Sequence, residues 1–461
     1  MKQHPRPIVR TYNSRSLALQ ALLDCQQGTA FVQEILDKHL SRTKMPPADR
    51  RLATQLTYGV LRRRATLDRL IKPCVSRRKD QVEPWLWEAL RLGTFQLGLL
   101  SNIPPHAAIF ETVTLAELVG KPRGKGFLNG VLRNVSSLLT QDKAEGPAAD
   151  SLPLNAGEYQ RLTQPIFPDP KHYPVEYISS GFSWPFWLAQ RWHERHGWDE
   201  CVRLGFWFGE PPPVYLRSNR LLTKRDEYLD NLENEGIDAK PCDYQHGIQL
   251  LEPESIQSLP GYADGLFAVQ DESSMRVAAA VAPTPGRRVL DLCAAPGGKT
   301  SHMAELMNNE GEIVACDIDK KRLKTLRELC FRLRLRNVKT HHINVEALED
   351  PPEGPFDYVL VDVPCSNTGV LGRRPEARWR LTENELQRLI PLQTKLLIQA
   401  AERVRPGGTI VYSTCSIEPE ENENVVQVVL KALPCLSLEA EEAYQPGQPS
   451  DGGFWAKLKR K

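Results

Sequence analysis

The sequence of 461 residues has no C-x-x-C pair among its ten cysteines. That absence argues against zinc sites and a disulfide framework, and it fits a reducing, cytoplasmic setting. No apolar run approaches the roughly 20 residues that a membrane-crossing helix needs. The opening stretch, Met1 to Arg10, is basic and proline-containing with no apolar run behind it, so no signal peptide is expected. There is no internal repeat. Two nucleotide-binding fingerprints are missing as well. The G-x-G-x-x-G of dinucleotide sites does not occur, and a Walker A loop ending at Gly298-Lys299-Thr300 would need glycine where Cys293 stands.

What is present is an uneven charge. Up to Thr140 there are 22 Lys and Arg against 10 Asp and Glu, and after it 37 against 47. A basic N-terminal part on a near-neutral chain suggests a polyanionic partner, although a solvated charged surface would look the same.

Residues 1–140 read as an all-α bundle. Ser16–Leu23, Arg50–Ile71, Trp85–Leu100, Ile109–Leu118 and Gly126–Leu139 carry apolar residues on one helical face, with Pro and Gly between them. Periodicity fades over 141–173, which reads as a linker. Residues 174–281 read as a small α+β unit, opened by an aromatic segment, Phe182 to Trp187, that anchors a helix to its neighbour. From 282 to 461 Val-, Ile- and Leu-rich strands (289–292, 313–316, 338–343, 358–361 and 409–412) alternate with helices. That pattern implies a doubly wound, mostly parallel sheet covered on both faces.

The first of these strands runs into Cys293-Ala294-Ala295-Pro296-Gly297-Gly298-Lys299, a glycine turn opening a helix. Glycine lets backbone approach a ligand, and the helix start offers free N–H groups. The second strand ends at Asp317, placed to accept hydrogen bonds from a ribose diol, while Asp319 caps the following helix. The third ends at Ile343-Asn344-Val345, where Asn344 suits an adenine edge. The fourth ends at Asp362, near the sheet's switch point. Cys365 and Cys415 each lie just beyond a strand's C-terminal end, the ligand edge of such a sheet. Singly, either cysteine reads as buried and inert. As a pair on neighbouring strands, about 4.8 Å apart, both sulfurs face one substrate. Cys293, Cys316 and Cys330 read as structural.

Leu290 to Thr300, Asp362-Val-Pro-Cys-Ser366 and Ser413-Thr-Cys-Ser416 resemble the motifs of the RNA cytosine-C5 methyltransferase family. Gln270-Asp-Glu-Ser-Ser274 is similar to that family's approach to the sheet, and Asp451 to Ala456 is similar to its ending. The helical N-terminal part, with Phe127 to Asn134, resembles the NusB-like RNA-binding domain. The combination is similar to the family's bacterial members that act on small-subunit (16S) ribosomal RNA. The resemblance implies a Rossmann-like methyltransferase domain and S-adenosylmethionine held by residues 293–299, Asp317, Asn344 and Asp362. It implies Cys415 as nucleophile and Cys365 as the thiol that assists release. Asn344 and Val363 depart from the usual Asp and Ala. A thiol is what this chemistry requires. Carbon 5 of cytosine accepts a methyl group once a thiolate has added to carbon 6 and broken the ring's conjugation. The base must leave its stack to reach the pocket.

Arg373, Arg374 and Arg378 follow the Cys365 loop, and at least one is expected to contact phosphate. Basic clusters at Arg62–Arg64, Arg77–Lys79 and Lys121–Lys125 would hold RNA outside the pocket. The expected partner is RNA, with no metal and no membrane, and a monomer is favoured. Two other readings compete: a tRNA-directed enzyme of the same chemistry, and a NusB-like RNA-binding factor with an inactive sheet domain. The intact glycine loop and both cysteines speak against the second.

Overall fold

A computed structural model describes residues 13–28, 30–252, 255–344 and 350–461. The Met1–Arg10 opening and Val345 lie outside the described residues. The chain forms two compact units. One runs up to Pro212 and takes in Leu371–Arg380, and the other comprises Pro213–Val370 and Leu381–Lys461.

The first unit is helical over Ser14–Gln27, Val32–Leu40, Pro47–Arg62, Arg64–Ile71, Pro84–Leu99, Pro105–Leu118 and Lys125–Leu138. Proline opens three of these helices, where its fixed φ is an advantage and its missing N–H costs nothing. Leu17, Leu56, Leu67, Leu90 and Leu132 are fully buried in one core. The single helix expected over Arg50–Ile71 is two. The backbone leaves helical geometry at Arg63 (φ −106°, ψ 17°), whose guanidinium turns inward to the carbonyls of Pro153 and Leu154.

The stretch expected as a linker is instead structured. Leu139–Ala144, Ser151–Pro153 and Tyr159–Leu162 form an antiparallel sheet with Leu152, Tyr159 and Leu162 buried. Strands of three to six residues are too short for an alternating pattern to stand out. The helices Pro174–Gly181 and Phe186–Gly209 belong to this unit too, not to the α+β strands that follow them in sequence. Trp184 and Trp192 pack edge to face at 4.8 Å, so the aromatic segment anchors its helix.

Leu371–Arg380 is built into this unit. Arg378 is fully buried and donates to the carbonyls of Arg62, Ser183, Phe208 and Leu371 at 3.0–3.3 Å. Burial, with Arg62 and Arg63 nearby, pulls its pKa down to about 9. Trp379 donates to the Leu61 carbonyl, Arg380 donates to the carbonyls of Cys25 and Ala30, and Glu376 accepts from Val32 N–H. Arg378 is therefore a tie between backbone segments and not a phosphate contact. Arg62 and Arg63 are buried likewise, each held near 10, with burial the main cause. They are not part of an RNA-facing cluster, because backbone carbonyls already occupy guanidinium groups that water does not reach.

The second unit opens with a four-stranded antiparallel sheet in the order Ala239–Pro241, Gly247–Leu250, Val214–Ser218, Phe267–Val269, covered by the helix Arg225–Asn234. After it come α1 (Glu272–Val281), β1 (Arg288–Asp291), α2 (Gly298–Leu306), β2 (Glu312–Asp317), α3 (Lys320–Arg332), β3 (Val338–His342) and β4 (Phe356–Asp362). Then follow α4 (Glu383–Arg403), β5 (Val404–Thr414), α5 (Glu423–Ala432), β6 (Leu436–Tyr444) and β7 (Gly453–Arg460). Among the described residues the large sheet has seven strands in the order β3-β2-β1-β4-β5-β7-β6. The first five are parallel, and β7 lies antiparallel between β5 and β6. Val289, Leu290, Val359, Leu360, Ile410 and Val411 are fully buried, as a sheet covered on both faces requires. Order reverses at β1/β4, which opens the ligand edge there.

Candidate active site

Five strand ends converge on this edge. Register pairs Asp362 of β4 with Ser413 of β5, so Cys365 and Cys415 leave their strands side by side. Their sulfurs are 3.2 Å apart and not bonded. The two loops are cross-braced. Gly369 N–H donates to the Cys415 carbonyl at 3.0 Å, Ile417 N–H donates to Thr368 Oγ1 at 3.1 Å, and the Ser366 and Ser416 hydroxyls lie 3.1 Å apart. Beneath them Glu421, fully buried, accepts from Ser366 N–H and from Gln393 Nε2, each at 2.9 Å, while Gln393 also reaches the Pro364 carbonyl. Burial raises the Glu421 carboxyl despite those donors.

The hydrogen bond to Cys415, then burial, push the Cys365 thiol well above its ordinary range. Lys299 of α2 sits 2.7 Å from Asp362, whose other oxygen accepts from the Ser413 hydroxyl at 2.7 Å. Burial would lower the Lys299 ammonium, but Asp362 holds it above its usual value.

The glycine turn has Gly297 at φ +107°, a left-handed conformation that favours glycine, and a Cβ there would meet Leu326 Cγ at 2.8 Å. Asp317 accepts from Asp319 N–H at 2.9 Å and Ala295 N–H at 3.2 Å, tying the end of β2 to that turn. One lone pair per oxygen is used, which leaves capacity for a diol. Asp319 caps α3, accepting from Lys321 and Arg322 N–H. Asn344 ends the described part of its segment beyond β3. Cys293 is pushed far upward by burial and by Asp362, Asp291 and Asp317, so it is no thiolate. Arg373 and Arg374 are half-buried, and Arg374 lies over the Phe31 ring at 4.4 Å.

Several residues here were not singled out from sequence. Asp291 accepts from the Thr300 hydroxyl at 2.7 Å, and its second oxygen, fully buried, has no protein partner. Burial chiefly, with Asp362 and Asp317 adding, raises its pKa from 3.8 to about 7. Ile318 is 61% exposed between two acids at the ligand edge, an apolar surface suited to a purine face. Acidic groups at Asp291, Asp317 and Asp362, balanced by Lys299 at Asp362 and by Arg322 3.8 Å from Asp317, with one Asp291 oxygen lacking a protein partner, fit a cofactor that brings a cationic sulfonium and donor hydroxyls. A carboxyl raised by folding stays protonated in the native state while the unfolded chain ionises, so stability falls as pH rises from about 4 to about 7. A displacement from 3.8 to about 7 is on the order of 4 kcal/mol. Urea midpoints at acidic and alkaline pH should therefore differ more for the wild type than for Asp291→Asn. Equal pH slopes would show that Asp291 does not titrate in this way.

Among the described residues, no helix is long and apolar enough to cross a membrane, and no group of three or more His, Cys, Asp or Glu is placed to hold a metal ion.

Comparison with known proteins gives three family models along the chain: NusB family over 12–137, the RsmF/B-like ferredoxin-like domain over 184–257, and 16S rRNA methyltransferase RsmB/F over 278–453. The ribosomal RNA small subunit methyltransferase B of Salmonella paratyphi B is 33% identical over 462 residues, covering 97% of this chain and 99% of that protein. The chain belongs to this family. The probable small subunit methyltransferase B of Bacillus subtilis is 32% identical, covering 91% of this chain and 88% of its own length. A solved structure, PH0851, matches with a TM-score of 0.77 at 25% identity, over 98% of this chain and 100% of that one. Like the family, the chain is an S-adenosylmethionine-dependent RNA methyltransferase with a helical NusB-like part and a Rossmann-like catalytic domain.

Proposed function

We propose that this enzyme methylates carbon 5 of a cytosine in small-subunit ribosomal RNA through a covalent adduct between Cys415 and carbon 6 of the base. The observation that carries the reading is the pair of unbonded sulfurs 3.2 Å apart at the ligand edge. A methyltransferase acting on oxygen or nitrogen has no use for two such thiols, whereas addition to carbon 6 needs one thiolate, and release needs a proton-handling neighbour.

Bound S-adenosylmethionine supplies the electrophilic methyl group. The residues that would hold it are the 293–299 turn, Asp317 at the ribose, Ile318 and Asn344 at the adenine, and Asp362. Lys299 places a positive charge near Cys415, which favours the thiolate when the base arrives. The Cys415 thiolate bonds to carbon 6, and the pair of electrons displaced from the ring is then available at carbon 5. After methylation, water takes the carbon-5 proton, the electron pair of that C–H bond restores the 5,6 double bond, and the carbon–sulfur bond breaks with its pair returning to Cys415. Cys365, 3.2 Å away, assists that departure by hydrogen-bonding to the leaving sulfur. Arg373 and Arg374, on the half-buried side of their segment, are assigned to phosphate.

Bisulfite mapping of small-subunit RNA from cells with and without this protein tests the reading. One cytosine should lose its bisulfite resistance when the protein is missing. Identical maps would overturn the assignment to this RNA.

A further inference from the structure

We infer that Asn367 is a positioning residue that keeps the Cys415 sulfur protonated at rest and aims it along the Cys365–Cys415 axis. The inference rests on the reading of Cys415 as nucleophile and adds the residue that controls it.

Asn367 touches both cysteines. Its Nδ2 donates to the Cys365 carbonyl at 2.8 Å. That bond fixes the amide's orientation, because turning it over would set oxygen against oxygen. The Oδ1 atom therefore faces Cys415, whose sulfur lies 3.2 Å away and donates to it. The backbone N–H of Asn367 faces the Cys365 sulfur and opposes the upward push on that thiol. The residue sits at φ +61°, a conformation that Asn and Gly adopt most readily, and its carbonyl accepts from Val370 N–H at 3.1 Å.

The consequence is a directed chain. With the Cys415 proton committed to Asn367, the Cys365 thiol donates to the Cys415 sulfur. An acceptor oxygen against a thiol favours the thiol over the thiolate. Titratable groups around the pair, among the described residues, include Lys299 from α2, which pulls the opposite way, Asp362 paired with Lys299, Glu421 behind Cys365, and the buried Tyr412 hydroxyl. Asn367 thus opposes Lys299, and the nucleophile stays guarded until substrate displaces the amide.

The test is alkylation of the full-length chain by iodoacetamide across a pH series, resolved for each cysteine by peptide mass spectrometry. Asn367→Gly keeps the left-handed backbone and removes the acceptor. It should make Cys415 react about tenfold faster near neutrality, a midpoint lower by about one pH unit. Asn367→Asp keeps an acceptor oxygen and adds charge, so the Cys415 midpoint should rise. A merely structural role would move both variants the same way. Unchanged profiles, or shifts of the same sign, overturn the proposal. No RNA is present in this experiment. A failure of the nucleophile assignment would show only in adduct trapping and would leave the alkylation result standing.

Discussion

Cys415→Ala should abolish methyl transfer and leave no denaturation-resistant protein–RNA adduct, whereas Cys365→Ala should accumulate one. These are the outcomes expected from the roles proposed for the two thiols. Without Cys415 nothing adds to carbon 6, carbon 5 stays a poor nucleophile, and the loss should be total within detection. Without Cys365 addition still occurs, since Lys299 and the strand-end placement of Cys415 are untouched. What is lost is the neighbouring thiol 3.2 Å away, and with it the assistance to departure. Denaturing gel electrophoresis of each variant with RNA and S-adenosylmethionine reads both outcomes. If Cys365→Ala blocks the adduct and Cys415→Ala traps it, the roles are reversed.

Arg217→Ala should lower stability by about 3–5 kcal/mol, the usual cost of removing one partner from a buried ion pair. Arg217 and Glu305 are essentially unexposed, and their charged groups are 2.7 Å apart. The guanidinium also donates to Gln270, the Ser301 hydroxyl and the Gly298 carbonyl. Truncation strands the Glu305 carboxylate, which burial already raises despite Arg217, and removes a brace from the start of α2 beside the glycine turn. The chemical denaturation midpoint should fall sharply, and calorimetry should find weaker S-adenosylmethionine binding. Replacing both partners with apolar residues, Arg217→Met with Glu305→Leu, should recover most of the stability but not the brace. An Arg217→Ala protein that unfolds at the wild-type midpoint would refute this account.

The parts of the catalytic unit that reach the ligand edge were legible in sequence because their patterns are local. Apolar strands such as Val289–Leu292 and Tyr358–Val361 are continuous, and each chemistry-bearing residue follows its strand directly. The last two strands were not. β6 is an acidic edge strand, and β7 buries Phe454, Ala456 and Leu458 on alternate positions, with Gly453 before them. Arginine misled most. Arg62, Arg63 and Arg378 read as groups that meet RNA, yet each donates to backbone carbonyls, one of them, Gly372, more than 300 positions away. Such partners exist only in the folded chain. Asn367 was equally hidden, since its significance lies in a positive φ and in two contacts that no spacing announces.

Leu371–Arg380 has a consequence for synthesis on the ribosome. The chain emerges from its N-terminal end, so the helical unit is left open after Pro212 while β1 to β4 of the next unit are being made. Only then do Glu376, Arg378, Trp379 and Arg380 arrive to satisfy Val32 N–H and the carbonyls of Leu61, Ser183, Phe208 and Ala30. Nascent-chain folding is therefore interlocked: the first unit cannot close before much of the second exists. No single cut in the polypeptide releases either unit whole.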